Sequence, residues 1–400
     1  MRRCLALHPV TEPTKTRRPA GFGVIWSTVA IDQVGFGILI PVLALYAEDF
    51  GASPLTIGFL VATFASAQLI TAPIGGRLSD RFGRKPIILV SLLGTAVGSL
   101  ITGLAGAVWV LFLGRAVDGL SGASVTVSQA AITDIVAPEQ RARLLGLLSA
   151  AFGFGFAAGP AIGGLAASVG GARAPFFVAA GLATVNGVVA WFRLPETLPP
   201  EKRVDRDVTA TAPKPRIDWS RRLLRLFGIA AVSSTAFAMF TTTIPLLLER
   251  RAGLDEGGVG LVFACVGVGI MLASTFAVGP AVNAFGPRGV VRVGLMLNIT
   301  GLLIMGPDWV WPAIVTSTAF LILGQSFLTG PQSALVSNTV DGRVRGAAMG
   351  VNQASVGVGR VIGPITGGAL FQLGLAWPYV VGAGLTGLAL LLVPGPWNRR

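Results

Sequence analysis

Four ionisable residues stand inside long apolar stretches of this 400-residue chain: Asp32, Arg115, Asp118 and Arg360. A charge in hydrocarbon costs about 2.5 kcal/mol or more, so such residues face a wet cavity or one another. Arg115 and Asp118 are three residues apart, share one helix face and can pair. Asp32 comes eleven residues after Gly21, roughly 16 Å into a helix at 1.5 Å per residue, and no basic residue in its own stretch neutralises it. Withdrawal from water favours the protonated form of a carboxyl group, whereas a nearby guanidinium favours the ionised one. A carboxyl held between those influences can load a proton on one side and release it on the other. Asp32 is the first candidate proton carrier and Asp118 the second, with Arg115 tuning or relaying the exchange. Arg360 is expected to pair with an acid or to hold an anionic group of a bound molecule.

The elements that must position these groups follow from composition. Hydrophobic residues make up 52% of the chain and charged residues 12%, and the mean hydropathy is +0.73. A water-facing shell cannot be built from so little polarity, whereas a helix crosses a bilayer with about 20 apolar residues. Twelve such helices are expected, near Gly21–Leu45, Leu55–Gly75, Pro86–Gly106, Val108–Ile132, Leu144–Ser168, Pro175–Leu194, Leu223–Leu248, Gly258–Gly279, Val290–Met305, Trp309–Val336, Gly346–Leu373 and Trp377–Val393. The fold class is therefore an all-α membrane protein, read as two pseudo-symmetric six-helix bundles. Residues 1–20 form a tail and 21–194 the first bundle; the polar, proline-rich segment 195–222 is a linker, and 223–400 is the second bundle.

The net charge of +13 is not a nucleic-acid surface, because it falls in short clusters between apolar spans. With the N-terminus inside, all but five of the 31 lysines and arginines lie in inside segments. Of those five, Arg173, Arg250 and Arg251 lie outside, and Arg115 and Arg360 lie within helices. The positive-inside bias then sets both termini in the cytoplasm and requires an even number of spans. The plasma (inner) membrane is the expected location. Cys4 and Cys265 offer neither a disulfide framework nor metal-ligand spacing. A P-loop lysine motif, zinc-spaced histidines, a nucleophile elbow and paired catalytic acids are all lacking. No enzyme activity, cofactor or metal is expected.

An internal repeat is visible. Residues Gly155–Gly164 read GFAAGPAIGG and Gly359–Gly368 read GRVIGPITGG, about half a chain later, and Phe82-Gly83 recurs as Phe285-Gly286. Two homologous halves are a recurrent transporter design, with the substrate path between them. The glycines at 155, 159, 163 and 164 fall mostly on one helix face, where two backbones can approach, and Pro160 bends the helix. A smooth seam between halves is expected from Gly155, Gly159, Pro160, Gly163 and Gly164, opposite Gly363, Pro364, Gly367 and Gly368.

In the loop Gly76–Lys85, Gly75 and Gly76 are expected to let the chain leave the second helix. Asp80 is expected to cap the next helix, and Arg84 and Lys85 to anchor the topology.

Several of these segments resemble the major facilitator superfamily. GRLSDRFGRK at Gly76–Lys85 is similar to its signature between the second and third helices. LFLGRAVDGLSG at Leu111–Gly122 resembles its fourth-helix motif, centred on Arg115. The first glycine-proline string resembles the fifth-helix antiporter motif of its drug–proton branch, and the second is its eleventh-helix counterpart. DQVGFGILIP at Asp32–Pro41, with RAVDGLSGAS, is similar to tetracycline-efflux transporters. The chain departs from those in its second half: its one histidine is His8, and the ninth helix has Asn298 where the resemblance implies an acid.

The resemblance implies a secondary transporter exporting small, drug-like or metabolite molecules by proton antiport. It also implies a cytoplasmic gate of Gly76, Asp80, Arg81, Gly83, Arg84, Asp134 and Arg141, in which Asp80 latches to Asp134 and Arg141. Asn283 replaces the acid in the second half, so that latch is expected on one side only. The seventh and tenth helices line the path in the family, which makes Phe240, Thr241 and Gln325 candidate substrate contacts beside Arg360. The expected partners are a small-molecule substrate, protons and the lipid bilayer, without nucleic acid, and the chain is expected to be a monomer. A facilitator or proton-coupled importer of a sugar or organic acid is the alternative, and a non-transporting receptor or scaffold a remote one.

Overall fold

A computed structural model describes residues 21–136, 138–203, 218–306, 311–342 and 344–393. The tail, residues 204–217 of the linker and the last residues lie outside the described residues. Helices are α1 (Phe22–Glu48), α2 (Pro54–Phe82), α3 (Arg84–Gly103), α4 (Val108–Leu120), α5 (Ser124–Ile135), α6 (Pro138–Gly170), α7 (Ala174–Arg193), α8 (Arg221–Ala252), α9 (Glu256–Phe276), α10 (Val278–Met305), α11 (Trp311–Ser337), α12 (Arg345–Leu373) and α13 (Trp377–Leu392). Among the described residues no strand occurs.

The α4 and α5 helices make one span, Val108–Ile135, and with it eleven segments are long and apolar enough to cross a membrane. The α13 helix, Trp377–Leu392, is a shorter apolar helix, in the place of the expected twelfth.

Two boundaries differ from expectation. The α2 helix does not end at Gly75 and Gly76 but runs on to Phe82, so Asp80 stands in its last turn. The chain turns instead at Gly83, whose φ of 103° suits a residue without a Cβ. The repeat reproduces this break: Gly286, after Phe285, has a φ of 69° and divides α10 ahead of Pro287. In both places the helical segment ends at a Phe-Gly corner.

Connections fall at two ends. The basic end carries Gly83, the exit of the chain from α7 at Leu194, its entry to α8 at Ser220, the Gly286 corner and the turn after Ser337. The distal end carries the turns after Glu48, Gly103, Gly170, Ala252, Met305 and Leu373.

Helices before the linker pack with one another, as α1 does with α6 and α3 with α7. Those after it do the same, as α8 does with α12 and α10 with α11. The two groups meet chiefly where α2 packs on α12 and α6 on α9.

The core shows how far that meeting extends. One buried cluster spans both groups, joining Leu43 and Tyr46 of α1, Leu60 of α2 and Phe176 of α7 to Leu247 of α8, Phe263 of α9 and Phe371 of α12. Toward the basic end the core divides. Phe22, Ile88, Val127 and Leu148 belong to one cluster, and Leu226, Leu295, Val336 and Ala348 to another. The groups are thus welded at the distal end and part toward the basic end.

Polar ties reinforce the weld. Arg250 Nη2 of α8 meets Glu48 Oε1 of α1 at 2.8 Å, and its guanidinium lies 5.1 Å from the centre of the Phe371 ring. The other two arginines expected outside fasten turns within their own group. Arg173 donates to the Ala105 carbonyl at 3.2 Å, and Arg251 to the Met305 and Gly306 carbonyls at 3.0 and 3.1 Å.

Candidate functional site

The fourth span breaks at residues 121–123, and this break positions the first polar group. It opens α5 at Ser124, whose Oγ donates to Asp32 Oδ2 on α1 at 2.7 Å. Asp32 is half-buried and Ser124 buried. One turn before the break, Arg115 Nη1 donates to Asp118 Oδ2 at 2.9 Å, and both residues are buried. The Arg115 guanidinium also lies 4.2 Å from the centre of the Phe64 ring on α2, a cation–π contact of the kind that gains strength away from water. Its Nε has no hydrogen-bond partner. Phe64 in turn meets Phe36 of α1 at 5.4 Å between ring centres, and Asp118 is an electrostatic neighbour of Asp32. Asp32 on α1 and Arg115 and Asp118 on α4 therefore form one polar cluster, which Ser124 of α5 completes. Ser124 was not singled out from the sequence, although the Gly-Ser-rich run after Asp118 signals the break that presents it.

A second cluster lies at the basic end, and Arg84 is its hub. Arg84 Nε donates to Asp134 Oδ2 at 2.9 Å; its Nη1 donates to Asp80 Oδ1 and to Ser79 Oγ, each at 2.6 Å. Arg84 is only 7% exposed, so it is an interior tie and not merely a topology anchor. Arg141 stands apart from this junction: it is exposed and its Nε donates to the Val136 carbonyl at 3.4 Å. Asp80, in α2, does not cap α3. That role falls to Glu196 of the linker, whose Oε1 accepts from the Arg84 backbone N–H at 2.9 Å and whose Oε2 accepts from that of Lys85 at 3.3 Å. A carboxylate there satisfies orphan N–H groups and meets the positive helix end. The Gly83 Cα faces this carboxylate, and a Cβ there would collide with Glu196 Oε2. Arg81 points outward, over the Phe82 ring, and Gly76 has open space where a side chain would stand. All the described ties of Arg84 stay within the helices and linker before α8.

An ion pair routed through one buried guanidinium makes a sharp prediction. Arg84→Lys keeps the charge but cannot hold Asp134, Asp80 and Ser79 together with one ammonium group. It should lower stability by about 2 kcal/mol, read as a reduced Tm of the detergent-purified protein. Arg141→Ala should leave the Tm unchanged; the reverse ranking would contradict the hub.

The glycine-proline strings serve a more divided role than a seam between halves. Gly155, Gly159 and Gly163 rest on Gln33, Gly37 and Ile38 of α1, in the same group of helices. Among the glycines of that string, Gly164 alone turns to the other group, against Gly257 and Gly260 of α9. The second string repeats this pattern. Gly359, Gly363 and Gly367 rest on Ala231, Thr235 and Met239 of α8, whereas Gly368 meets Pro54 of α2. The carbonyls of Pro160 and Pro364 face Gly260 and Gly58 across the divide. The sequence shows the shared face but not which helix covers it.

Of the candidate contacts for a bound molecule, Phe240 and Thr241 of α8 line one small apolar pocket with Phe156 of α6, Phe263 of α9 and Thr318 of α11. Gln325 of α11 is half-buried and lies outside that lining. Arg360 is exposed and takes part in none of the ion pairs among the described residues.

Paired helical groups, a buried acid–arginine cluster near mid-span and repeated glycine-proline helices define a membrane transporter. The family model for the Major Facilitator Superfamily matches residues 25–250 and 226–396. The chain is 33% identical to "Tetracycline resistance protein, class C" of Escherichia coli in an alignment of length 395 that covers 94% of this chain and 97% of that protein. It is 30% identical to "Multidrug resistance protein 2" of Bacillus subtilis over 380 residues, 91% of this chain and 94% of that one. Among solved structures, the human organic anion transporter MFSD10 (TETRAN) aligns with a TM-score of 0.72 at 21% identity, covering 94% of this chain and 99% of its own. That last likeness is one of fold. The chain belongs to the major facilitator superfamily, whose members are transporters and not enzymes.

Proposed function

We propose that this protein exports small, drug-like or metabolite molecules across the inner membrane by proton antiport. The observation that carries the reading is the Asp32 carboxylate, held inside a membrane-spanning helix by the Ser124 hydroxyl at 2.7 Å and half-open to its surroundings. A group so costly to bury is poised for a change of protonation state. The neighbouring Asp118 already has its counterion in Arg115 at 2.9 Å, so Asp32 is the freer of the two acids.

The basic end is assigned to the cytoplasm, with residues 21–194 and 223–400 as the two moving bundles and 195–222 joining them. In that orientation the present state is sealed outside, by the shared hydrophobic cluster and the Glu48–Arg250 pair, and parted toward the cytoplasm. A substrate enters from the cytoplasm and displaces the proton from Asp32. The bundles then rock so that the distal contacts of Gly164 with α9 and Gly368 with α2 open, and a proton from outside resets the cycle. The Arg84 cluster holds the cytoplasmic ends of α2, α3 and α5 as one body during that motion. Export as the direction draws on the similarity to the tetracycline and multidrug resistance proteins.

Expression in a drug-sensitive cell tests the proposal. Accumulation of a panel of dyes and antibiotics should fall, and an uncoupler should restore it. Export indifferent to the uncoupler would favour facilitated movement and contradict antiport.

A further inference from the structure

Arg360 lies within a membrane-spanning helix without an acidic partner among the described residues, and the packing of α12 tells which way it looks. Gly359, Gly363 and Gly367 rest on the backbone of α8, while Gly357, Pro364 and Gly368 rest on α2. At 3.6 residues per turn position 360 falls on the arc between those two contact stripes. Val358 and Ile362, 42% and 47% exposed, mark the opposite side, which lipid covers. Arg360 is exposed although both flanking stripes are packed, so its guanidinium faces the space between the two groups of helices.

The repeat says the same thing independently. Arg360 follows the first glycine of its string as Phe156 follows Gly155, and Phe156 lines the central pocket with Phe237, Phe240 and Phe263. The other guanidinium at this depth, Arg115, is neutralised by Asp118 at 2.9 Å, and Asp32 is engaged by Ser124.

We infer that Arg360 selects the charge of the transported molecule, and that the cavity takes small aromatic anions such as carboxylates or sulfonates. A guanidinium in a partly dehydrated cavity attracts a carboxylate or sulfonate through two parallel hydrogen bonds and repels an ammonium. The phenylalanines of the apolar pocket that Phe156 lines favour a flat aromatic body. The inference rests on the transport reading and adds its substrate class. An anion leaving as a proton enters moves positive charge inward twice over, so an inside-negative potential assists each turn.

Two xanthene dyes of like shape and opposite charge test it: fluorescein and rhodamine 6G, in proteoliposomes with an imposed pH gradient. Wild type should move fluorescein at least tenfold faster than rhodamine 6G. Arg360→Gln should remove that preference, and Arg360→Lys, which restores the charge, should recover part of it. Gel filtration and the Tm of each variant separate loss of selectivity from loss of fold. Faster movement of rhodamine 6G by wild type overturns the charge assignment while leaving antiport standing. So does an unchanged preference in a folded Arg360→Gln protein. Movement of either dye that ignores the pH gradient instead strikes the antiport reading, and movement of neither overturns the anion assignment.

Discussion

Asp32→Asn is expected to cut gradient-driven export at least tenfold while leaving substrate binding and substrate–substrate exchange in place. Asparagine keeps the size of the side chain and a carbonyl oxygen to accept from Ser124 Oγ, so the 2.7 Å contact has a replacement. What it lacks is a titratable proton. Loss of coupling with retained exchange would separate the protonation step from the conformational one, since exchange needs only the loaded carrier to switch. Counterflow in proteoliposomes measures exchange, and uptake driven by an acid-inside gradient measures coupling. Equal loss of both would assign Asp32 to the scaffold instead. Asp118→Asn is expected to behave differently, because it leaves the Arg115 guanidinium buried without its counterion. Breaking a buried pair on one side costs about 3–5 kcal/mol, so that variant should lose stability first.

Gly260→Val should shift the protein out of the distally sealed state. A Cβ on Gly260 would stand 2.6 Å from the Gly164 Cα and 2.8 Å from the Pro160 carbonyl oxygen. These are backbone atoms of a long helix and cannot swing aside as a side chain tip would. Overpacking of this kind costs about 1–3 kcal/mol, and it falls on one conformation because the contact lies between the two groups of helices. The expected population shift is roughly 5- to 150-fold. A cysteine at Thr241, in a Cys265→Ser background, reports it. Labelling from the distal side should be slow in the parent and fast with Gly260→Val, while transport falls at least tenfold. Unchanged labelling would show that the distal weld does not depend on this crossing.

Much of this architecture is legible in the sequence, for a specific reason. Lipid forces backbone groups to be satisfied within each helix, so apolar length translates directly into spans. The repeat of Phe-Gly corners and glycine-proline strings then imposes the same local geometry twice, as Gly83 and Gly286 show. The polar cluster was legible as well, because Asp32, Arg115 and Asp118 are conspicuous in an apolar setting.

What the sequence withholds is partner identity across long separations. Asp134 is fifty residues from Arg84 and seven from Arg141, and local spacing does not show that Arg84 reaches it. The α2 helix outruns its apolar stretch because a helix leaving the bilayer keeps its hydrogen bonds in water. Arg77 and Arg81, which look like loop charges, therefore sit in helix. Glu196, in a proline-rich linker, offers no periodicity that would announce it as the cap of α3. The glycine strings show their shared face plainly, but the spacing is identical whether that face meets α1, in the same group, or α9, in the other.

Proton release on substrate binding tests the central claim most directly. The detergent-purified protein is mixed with the dye it transports, in weakly buffered solution carrying a pH indicator. The account predicts that wild type releases protons as the dye binds, that apparent affinity rises with pH, and that Asp32→Asn releases none while still binding. Binding without proton release in wild type, or undiminished release from Asp32→Asn, would contradict it.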